Sequence, residues 1–279
     1  MSDYREESLQ AWDRVSPGWA AMRERFQRAA LPVSRWMVDA INPQPGDRVL
    51  ELAAGLADTG LLAAERVGPE GSVLITDGTE GMVEEARRHA EEVGARNVEL
   101  RIMQAEWIDL PAASVDGVLC RFAYMLLVDP EAALRETRRV LKPGGRVALA
   151  VWAEMDRNPW FEITRKVLLE RKLLPPPHPD APGPMALSAP GAVEDLLETA
   201  GFTEVEVEPL ELSFQPASLD EWWEYLTQTG PGVAEAVGKL SPADHYKLRD
   251  LVDAGYAPYV QDDGSLKLPG VALVAAATA

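Results

Sequence analysis

Basic residues are scarce in this chain of 279 residues, which has 27 Lys and Arg against 45 Asp and Glu and a net charge of −18. A field of that sign repels a phosphate backbone, and no cluster of Lys and Arg offsets it, so we expect no nucleic-acid partner. Cysteine is almost absent, because Cys120 is the single one, which excludes an intramolecular disulfide and a cysteine-based metal cluster. Its apolar neighbours Val118 and Leu119 predict a buried, inert thiol.

Long hydrophobic runs are also missing. The longest fully apolar runs, such as residues 147–153, fall far short of the roughly 18 residues that cross a bilayer. The chain starts with charged side chains that lead into no apolar run, so we expect no signal peptide and predict a cytoplasmic protein without a membrane partner. Histidine is rare too, and no spacing of histidines and carboxylates typical of metal ligands occurs, which predicts no metal site. His89 lies in a strongly charged stretch and is expected to face solvent.

What remains is an ordinary globular composition, with 47% hydrophobic and 26% charged residues. From about residue 30 to residue 152, short apolar runs alternate with amphipathic stretches, which is typical of βαβ units. Because the apolar runs leave no polar face, they indicate a mostly parallel sheet covered by helices. The predicted strands are 48–52, 73–76, 98–102, 117–120 and 146–152, and the predicted helices between them are 59–67, 81–93 and 131–141.

The N-terminal residues precede this alternating region. Residues 6–28 and 32–41 are predicted to form two helices. Trp12, Trp19 and Phe26 recur every seven residues and therefore share one helical face. This face either packs on the body of the protein or forms an aromatic lid over a ligand.

A proline-rich connection follows the alternating region. Residues 173–190 hold seven prolines and are predicted to be stiff and irregular. We expect the residues after them to return to the same sheet and not to form an independent domain. The predicted elements are a helix at 192–200, a strand at 204–214, a helical section around Trp222, Trp223 and Tyr225, and a strand at 266–276.

Residues 49–60 carry the strongest signal for a ligand. A buried strand ends near Leu52, small residues follow, and a helix begins near Thr59. Small residues let the backbone approach a ligand, and amides at a helix start favour a negatively charged group. Asp77 ends the next strand, where its carboxylate can accept hydrogen bonds from both hydroxyls of a ribose. The pattern therefore predicts a site for a nucleoside with an anionic or zwitterionic tail.

Two enzyme classes fit such a site, and a non-catalytic nucleoside-binding protein is a third alternative. Gly55-x-Ala57-x-x-Gly60 can be read as the dinucleotide fingerprint of a nicotinamide-dependent oxidoreductase. In that reading Ala57 replaces the glycine that lets the backbone approach a pyrophosphate. None of the six tyrosines is followed four residues later by a lysine, as a short-chain dehydrogenase would require. The other class is a methyltransferase that uses S-adenosylmethionine.

Four sequence blocks favour the second class. They are Glu51-x-Ala53-x-Gly55-x-Ala57, Gln104–Pro111, Val115–Val118 and Arg138–Gly145. The first is similar to an acid-x-Gly-x-Gly-x-Gly loop in which alanine replaces the first and third glycine. In their order, the four blocks resemble the class I S-adenosylmethionine-dependent methyltransferases, type 11 domain, of the ubiquinone/menaquinone-biosynthesis kind. The resemblance implies an α/β, Rossmann-like sheet of seven mostly parallel strands with an antiparallel last strand, helices on both faces, and a helical cover over the active site.

The resemblance also implies S-adenosyl-L-methionine as the cofactor. It implies that Glu51 anchors the loop and the ammonium group, that Asp77 binds the ribose, and that Gln104 accepts a hydrogen bond from the adenine amino group. Arg121 would bind the cofactor carboxylate or form a surface ion pair. His178 and Tyr124 are the candidate general bases, with Asp156 as an outsider. The full set of implied cofactor-binding residues is Glu51, Ala53, Ala54, Gly55, Asp77, Gly78, Thr79, Met82, Gln104, Ala105, Glu106, Arg121 and Phe122.

The implied organisation is an N-terminal helical cover, residues 1–42, followed by a methyltransferase domain, residues 43–279. Within that domain, residues 47–152 form the cofactor-binding core, and residues 157–200 and 216–262 cover the acceptor. We expect methyl transfer to a small organic acceptor by in-line displacement, with O- or C-methylation favoured over N-methylation. Few catalytic side chains are obligatory for this reaction, because holding nucleophile, methyl group and sulfur in a line supplies most of the acceleration.

Overall fold

The computed structural model describes residues 2–176 and 181–279. Within them, seven strands form one sheet in the order β3-β2-β1-β4-β5-β7-β6. Neighbouring strands are parallel except at β7, which runs antiparallel to both β5 and β6. The predicted fold class is therefore confirmed. The strands are β1 Arg48–Glu51, β2 Ser72–Asp77, β3 Val98–Ile102, β4 Val115–Arg121, β5 Leu141–Trp152, β6 Thr203–Phe214 and β7 Leu268–Thr278.

The central strands are apolar along their whole length because helices cover both faces of the sheet. Val49 and Leu50 of β1, and Val118 and Leu119 of β4, have no exposed surface. Cys120 lies in the same buried layer, as predicted, and burial raises the pKa of its thiol. These strands form the floor on which the ligand-binding loops are placed.

Helices connect the strands and close the top of the molecule. Several begin at side-chain caps that the sequence supplies locally, since Thr79, Asp129, Ser218 and Ser241 each accept a hydrogen bond from a backbone amide of the first helical turn. In the described part of the chain, no helix is both long and apolar enough to cross a membrane. The helices described are α1 Ser2–Ile41, α2 Asp58–Val67, α3 Glu80–Glu92, α4 Pro130–Val140, α5 Pro159–Glu170, α6 Ala192–Thr199, α7 Leu219–Thr229, α8 Pro231–Gly238 and α9 Pro242–Tyr256.

Helix α1 corrects the prediction of two N-terminal helices, because it runs without a break from Ser2 to Ile41 with Pro17 and Pro32 inside it. Each proline removes one backbone hydrogen bond. Tertiary packing offsets that loss, since side chains along one face of α1, from Phe26 to Met37, belong to the hydrophobic core. The first half of α1 therefore continues the same helix whose second half packs in the hydrophobic core.

Candidate active site

A cavity of about 980 Å³ lies at the carboxyl ends of β1, β2, β4 and β5. These strands surround the point where the strand order reverses, because β1 is bordered by β2 on one side and by β4 on the other. Open α/β sheets bind their ligands at such a switch point. Helices α1, α5, α7 and α8 contribute much of the remaining lining, so the cavity has a floor of strand ends and a largely helical roof.

The loop after β1 turns tightly below the cavity. Ala53, Gly55 and Ala57 have φ angles of 46°, 56° and 67°, in the left-handed region that favours glycine. An alanine in this region costs about 1–2 kcal/mol, which accounts for glycine at the same positions in the family that the sequence resembles. The amide of Ala54 donates to the carbonyl oxygen of Thr76 at 2.9 Å, so β2 holds the loop in place. The backbone from Ala53 to Gly55 lines the cavity, where the sequence predicted it.

Asp77 ends β2, and its side chain lines the cavity together with Gly78 and Thr79. One carboxylate oxygen accepts from the Gly55 amide at 3.0 Å, and the other accepts from the amide and hydroxyl of Thr79 at 3.0 and 3.1 Å. Burial raises the pKa of Asp77, and these hydrogen bonds oppose the rise. The carboxylate therefore joins the loop after β1 to the loop after β2 at the place predicted for a ribose.

Glu51 lies below the loop and not on the cavity wall. Its carboxylate accepts from the amide of Gly60, at the start of α2, at 2.9 Å. A Cβ atom at Gly60 would lie 2.3 Å from that oxygen, so only glycine allows this contact. Burial raises the pKa of Glu51 to about 8, while the Arg121 guanidinium opposes the rise. The geometry supports the predicted anchoring of the loop by Glu51 and gives no direct path from its carboxylate to a ligand's ammonium group.

The residues predicted to bind adenine line the same cavity. The side-chain oxygen of Gln104 is buried and accepts no hydrogen bond from any residue within 2–176 and 181–279. An unsatisfied buried acceptor is costly, so this oxygen is suited to an amino group of a ligand. Met82 and Ala105 contribute buried apolar surface to the cavity, and Glu106 pairs with Arg5 at 3.2 Å.

Arg121 is the last residue of β4, the strand that lies beside β1 in the sheet. Its guanidinium donates to Gln27 at 2.8 Å, to Ser34 at 2.7 Å and to Asp58 at 3.4 Å. Arg121 does form an ion pair, with Asp58, but the pair lies in the cavity wall and not at the surface, because the Arg121 side chain is only 10% exposed. Contact with a cofactor carboxylate stays a prediction for this residue.

An aromatic wall, formed by Phe122, Trp152 and Trp160, makes up the side of the cavity above β4 and β5. The rings of Phe122 and Trp152 stack with centroids 4.1 Å apart and planes at 9°, and Trp160 lies 4.7 Å from Trp152. From the roof, Trp19 of α1 contacts Phe26 edge to face at 5.0 Å. The aromatic face of α1 thus packs on the body and also lines the cavity, and its role as a lid over a ligand stays a prediction.

The structure gives different outcomes for the three candidate general bases. Tyr124 was a wrong prediction, because it is fully buried, its hydroxyl lies 2.7 Å from that of Thr137, and it does not line the cavity. Burial also raises the pKa of Tyr124 well above its ordinary value, which disqualifies it as a base. Asp156 is exposed and away from the cavity. His178 lies outside the described residues and stays a prediction.

His89 is a residue whose role the sequence did not reveal. It was expected in solvent but is buried, with Nδ1 2.7 Å from the carbonyl oxygen of Leu56 and Nε2 against the guanidinium of Arg23. Only a protonated nitrogen can donate to that carbonyl, so Nε2 accepts from Arg23. Its spacing from the buried Met82 and Ala86 on α3 was the available signal. His89 thus supports the cofactor loop from behind.

The first turns of α1 cover the cofactor end of the cavity. Arg5 pairs with Glu106 and lies 4.5 Å over the ring of Trp107. A Cβ atom at Gly78 would come within 2.8 Å of the Leu9 side chain, so the helix sits directly on the loop after β2. These contacts make the start of α1 part of the wall that a cofactor would touch.

Deleting residues 1–10 is therefore expected to weaken S-adenosylmethionine binding by about tenfold, because ordered lids exclude water and complete the site. The deletion ends before Met22 and Phe26, which belong to the core, so the protein should stay folded. Calorimetry and thermal melting measure both effects. Arg5→Gln, which removes the ion pair with Glu106 and the cation over the Trp107 ring but keeps the helix, should show a smaller loss of affinity. An unchanged dissociation constant in the deletion variant would show that α1 is only a packing helix.

Comparison with known proteins agrees with this geometry. Residues 49–145 match a family model described as a methyltransferase domain. The chain is 37% identical over 147 residues to aklanonic acid methyltransferase DauC of Streptomyces sp. (strain C5), which covers 53% of this chain and 66% of that protein. It is 36% identical over 129 residues to the ubiquinone/menaquinone biosynthesis C-methyltransferase UbiE of Xanthomonas oryzae pv. oryzae, covering 46% and 51%. The chain thus spans about half to two thirds of the length of these relatives.

The fold has counterparts among solved structures. The YcgJ protein of Bacillus subtilis superposes with a TM-score of 0.60 at 20% identity, covering 89% of this chain and 98% of that one. At that identity the likeness concerns the fold, while the matched domain and the curated relatives concern the family. By the matched domain and these relatives, the chain belongs to the class I S-adenosylmethionine-dependent methyltransferases of the UbiE-like type.

Proposed function

We propose that this protein transfers the methyl group of S-adenosylmethionine to a small, largely apolar acceptor. The observation that carries the proposal is the division of one cavity into two halves. The loops after β1, β2 and β3 line one half with backbone and polar groups, and the aromatic wall lines the other. A volume of about 980 Å³ is at the upper end of the range for small-molecule sites, which suits two ligands side by side.

The residues of the first half fit the cofactor one group at a time. The Asp77 carboxylate lies at the tip of β2, where it can accept from ribose hydroxyls, although it exchanges part of its present hydrogen bonding to do so. The orphaned oxygen of Gln104 would accept from the adenine amino group. The backbone from Ala53 to Gly55 would face the methionine portion. Arg121 is the cation nearest in sequence to the aromatic wall and would face the cofactor carboxylate.

When bound, the cofactor supplies an electrophilic methyl group on a sulfonium, which a nucleophile displaces in line while the C–S electron pair stays on sulfur. The protein's task is alignment and exclusion of water. Among the described residues of the cavity wall, no histidine is available as a base, and burial raises the pKa of the Tyr225 hydroxyl. An acceptor whose nucleophile is already ionised needs no such base, as in O-methylation of an acid or C-methylation of an enolate. The printed names of the two curated relatives, an acid methyltransferase and a C-methyltransferase, are consistent with this chemistry.

The proposal is tested by two measurements on the full chain. Calorimetry should show binding of S-adenosylhomocysteine and none of NADH at the same concentration. Incubation with labelled S-adenosylmethionine and a panel of aromatic acids, phenols, quinols and amines should then label one acceptor class. Tight binding of NADH would instead support a nicotinamide-dependent oxidoreductase. Cofactor binding without label transfer to any class would support a non-catalytic nucleoside-binding protein.

A further inference from the structure

The arginines in the cofactor half of the cavity form ion pairs with carboxylates of the protein. Arg5 bonds to Glu106 at 3.2 Å, and Arg23 and Arg121 each lie 3.4 Å from a carboxylate oxygen of Asp58. Each of these arginines thus already has a carboxylate partner inside the protein. An arginine in the cavity wall without such a partner is therefore the residue to examine for ligand recognition.

Arg165 is such a residue in the acceptor half. It lines the cavity from α5 and is half-buried. Within residues 2–176 and 181–279 its guanidinium makes no ion pair and donates no hydrogen bond. Glu235 of α8, which also lines the cavity, is paired instead with Lys239, directly after the same helix. Arg14 also lines the cavity, but it is exposed at the surface, where solvent screens its charge.

Helix α5 is held firmly, so Arg165 has a fixed origin. The buried side chain of Asn158, just before α5, donates to the carbonyl oxygens of Ala153 and Val271 and accepts from the Val271 amide. Six residues further along, the hydroxyl of Thr164 lies 2.8 Å from that of Tyr256. These contacts tie α5 to β7, α9 and the residue after β5, and Arg165, which follows Thr164, lines the cavity.

The neighbours of Arg165 define the shape of a ligand. Trp160 of the same helix joins Trp152 and Phe122, whose rings are nearly parallel. Flat aromatic surfaces favour a flat aromatic ligand through offset stacking and edge contacts. A guanidinium offers a planar fork of donors that matches a carboxylate with two parallel hydrogen bonds. A cation of this kind beside an aromatic wall selects for a planar ring that bears an acid.

We infer that Arg165 is a specificity-determining residue that binds the carboxylate of the methyl acceptor, and that the acceptors of this enzyme are planar aromatic carboxylic acids. The inference rests on the proposed function, since it places the acceptor in the half of the cavity beyond the cofactor. The methylated atom of the acceptor can be a carboxylate oxygen or an atom elsewhere in the same molecule. The aromatic ring lies against the wall, and the acid extends to α5.

The test uses the full chain saturated with S-adenosylhomocysteine. Naphthalene-2-carboxylate and its neutral counterpart naphthalene-2-carboxamide are titrated by calorimetry. The carboxylate is expected to bind at least about tenfold more tightly, because hydrogen bonds to charged groups are the stronger ones. In Arg165→Gln this preference should fall to about threefold or less, while the affinity for S-adenosylhomocysteine stays unchanged.

A matched control exists on the same helix. Lys166 is exposed and does not line the cavity, so Lys166→Gln removes the same charge one residue away and should preserve the preference. Arg165→Lys, which keeps the charge and loses the planar fork, should give an intermediate preference and guards against a folding defect in Arg165→Gln. The inference is overturned if carboxylate and carboxamide bind equally, if neither binds, or if Arg165→Gln retains the full preference. Failure of S-adenosylhomocysteine to bind the parent protein would overturn the proposed function as well.

Discussion

Replacing Asp77 with alanine is expected to weaken S-adenosylmethionine binding by roughly 10- to 150-fold, equivalent to about 1.5–3 kcal/mol. The carboxylate lines the cavity at the tip of β2. Each hydrogen bond that it accepts from a ribose hydroxyl is charge-assisted. The structure adds an effect on stability, because the same carboxylate accepts from the Gly55 and Thr79 amides. The cofactor-free variant should therefore melt lower, with about 1–2 kcal/mol lost from the free energy of unfolding.

Two further variants separate the effect of Asp77 on cofactor binding from its effect on the stability of the protein. Asp77→Asn keeps one acceptor oxygen and loses the charge, so its affinity for the cofactor should fall between parent and Asp77→Ala. Asp13 caps the start of α3 by accepting from the Gly81 amide at 2.8 Å, and its side chain is outside the cavity lining. Asp13→Ala should lower the melting temperature through loss of this contact but bind S-adenosylmethionine like the parent. If Asp77→Ala also binds the cofactor like the parent, the ribose site lies elsewhere.

Replacing Glu51 with glutamine is expected to stabilise the cofactor-free protein, and to do so increasingly as pH rises. The pKa of Glu51 is about 8 in the folded chain against an ordinary 4.5, so the folded state binds more protons between these values and the parent loses stability as pH rises through them. Glutamine has no charge to bury and keeps an acceptor for the Gly60 amide. We expect a gain of about 1–3 kcal/mol at pH 9 and almost none at pH 4. Urea unfolding at both pH values measures it.

Replacing Glu51 with glutamine should stabilise the cofactor-free protein but weaken the binding of S-adenosylmethionine at high pH. S-adenosylmethionine carries a net positive charge, which favours the ionised form of Glu51, so its affinity for the parent should rise as pH increases through about 8. S-adenosylhomocysteine has lost the sulfonium charge and serves as the matched ligand, with a weaker pH dependence. In Glu51→Gln both ligands should show the same, flatter profile. Equal pH profiles for the two ligands in the parent protein would contradict a role for the Glu51 charge.

Much of the cofactor site could be predicted because its determinants are local. A parallel strand that is apolar along its length, followed by small residues and a helix start, places a ligand loop wherever the strand lies in the sheet. Asp77 and Gln104 could be located in the same way, since Asp77 is the last residue of β2 and Gln104 lies two residues after the end of β3. The regular elements of residues 48–152 agree with prediction to within a few residues, apart from β5, which starts five residues earlier than expected at Leu141.

What the sequence by itself determined is thus the alternation of strands and helices, the class of the sheet and the small-residue loop after β1. Only the tertiary structure decided that α1 passes unbroken through Pro17 and Pro32, that His89 and Tyr124 are buried, and that Arg165 lines the same cavity as the aromatic wall. Each of these depends on which distant element covers a given helix face, such as α1 against α7 or α5 against α9. A single helix pattern specifies that one face is buried but not its partner, because the contact joins residues far apart in the chain.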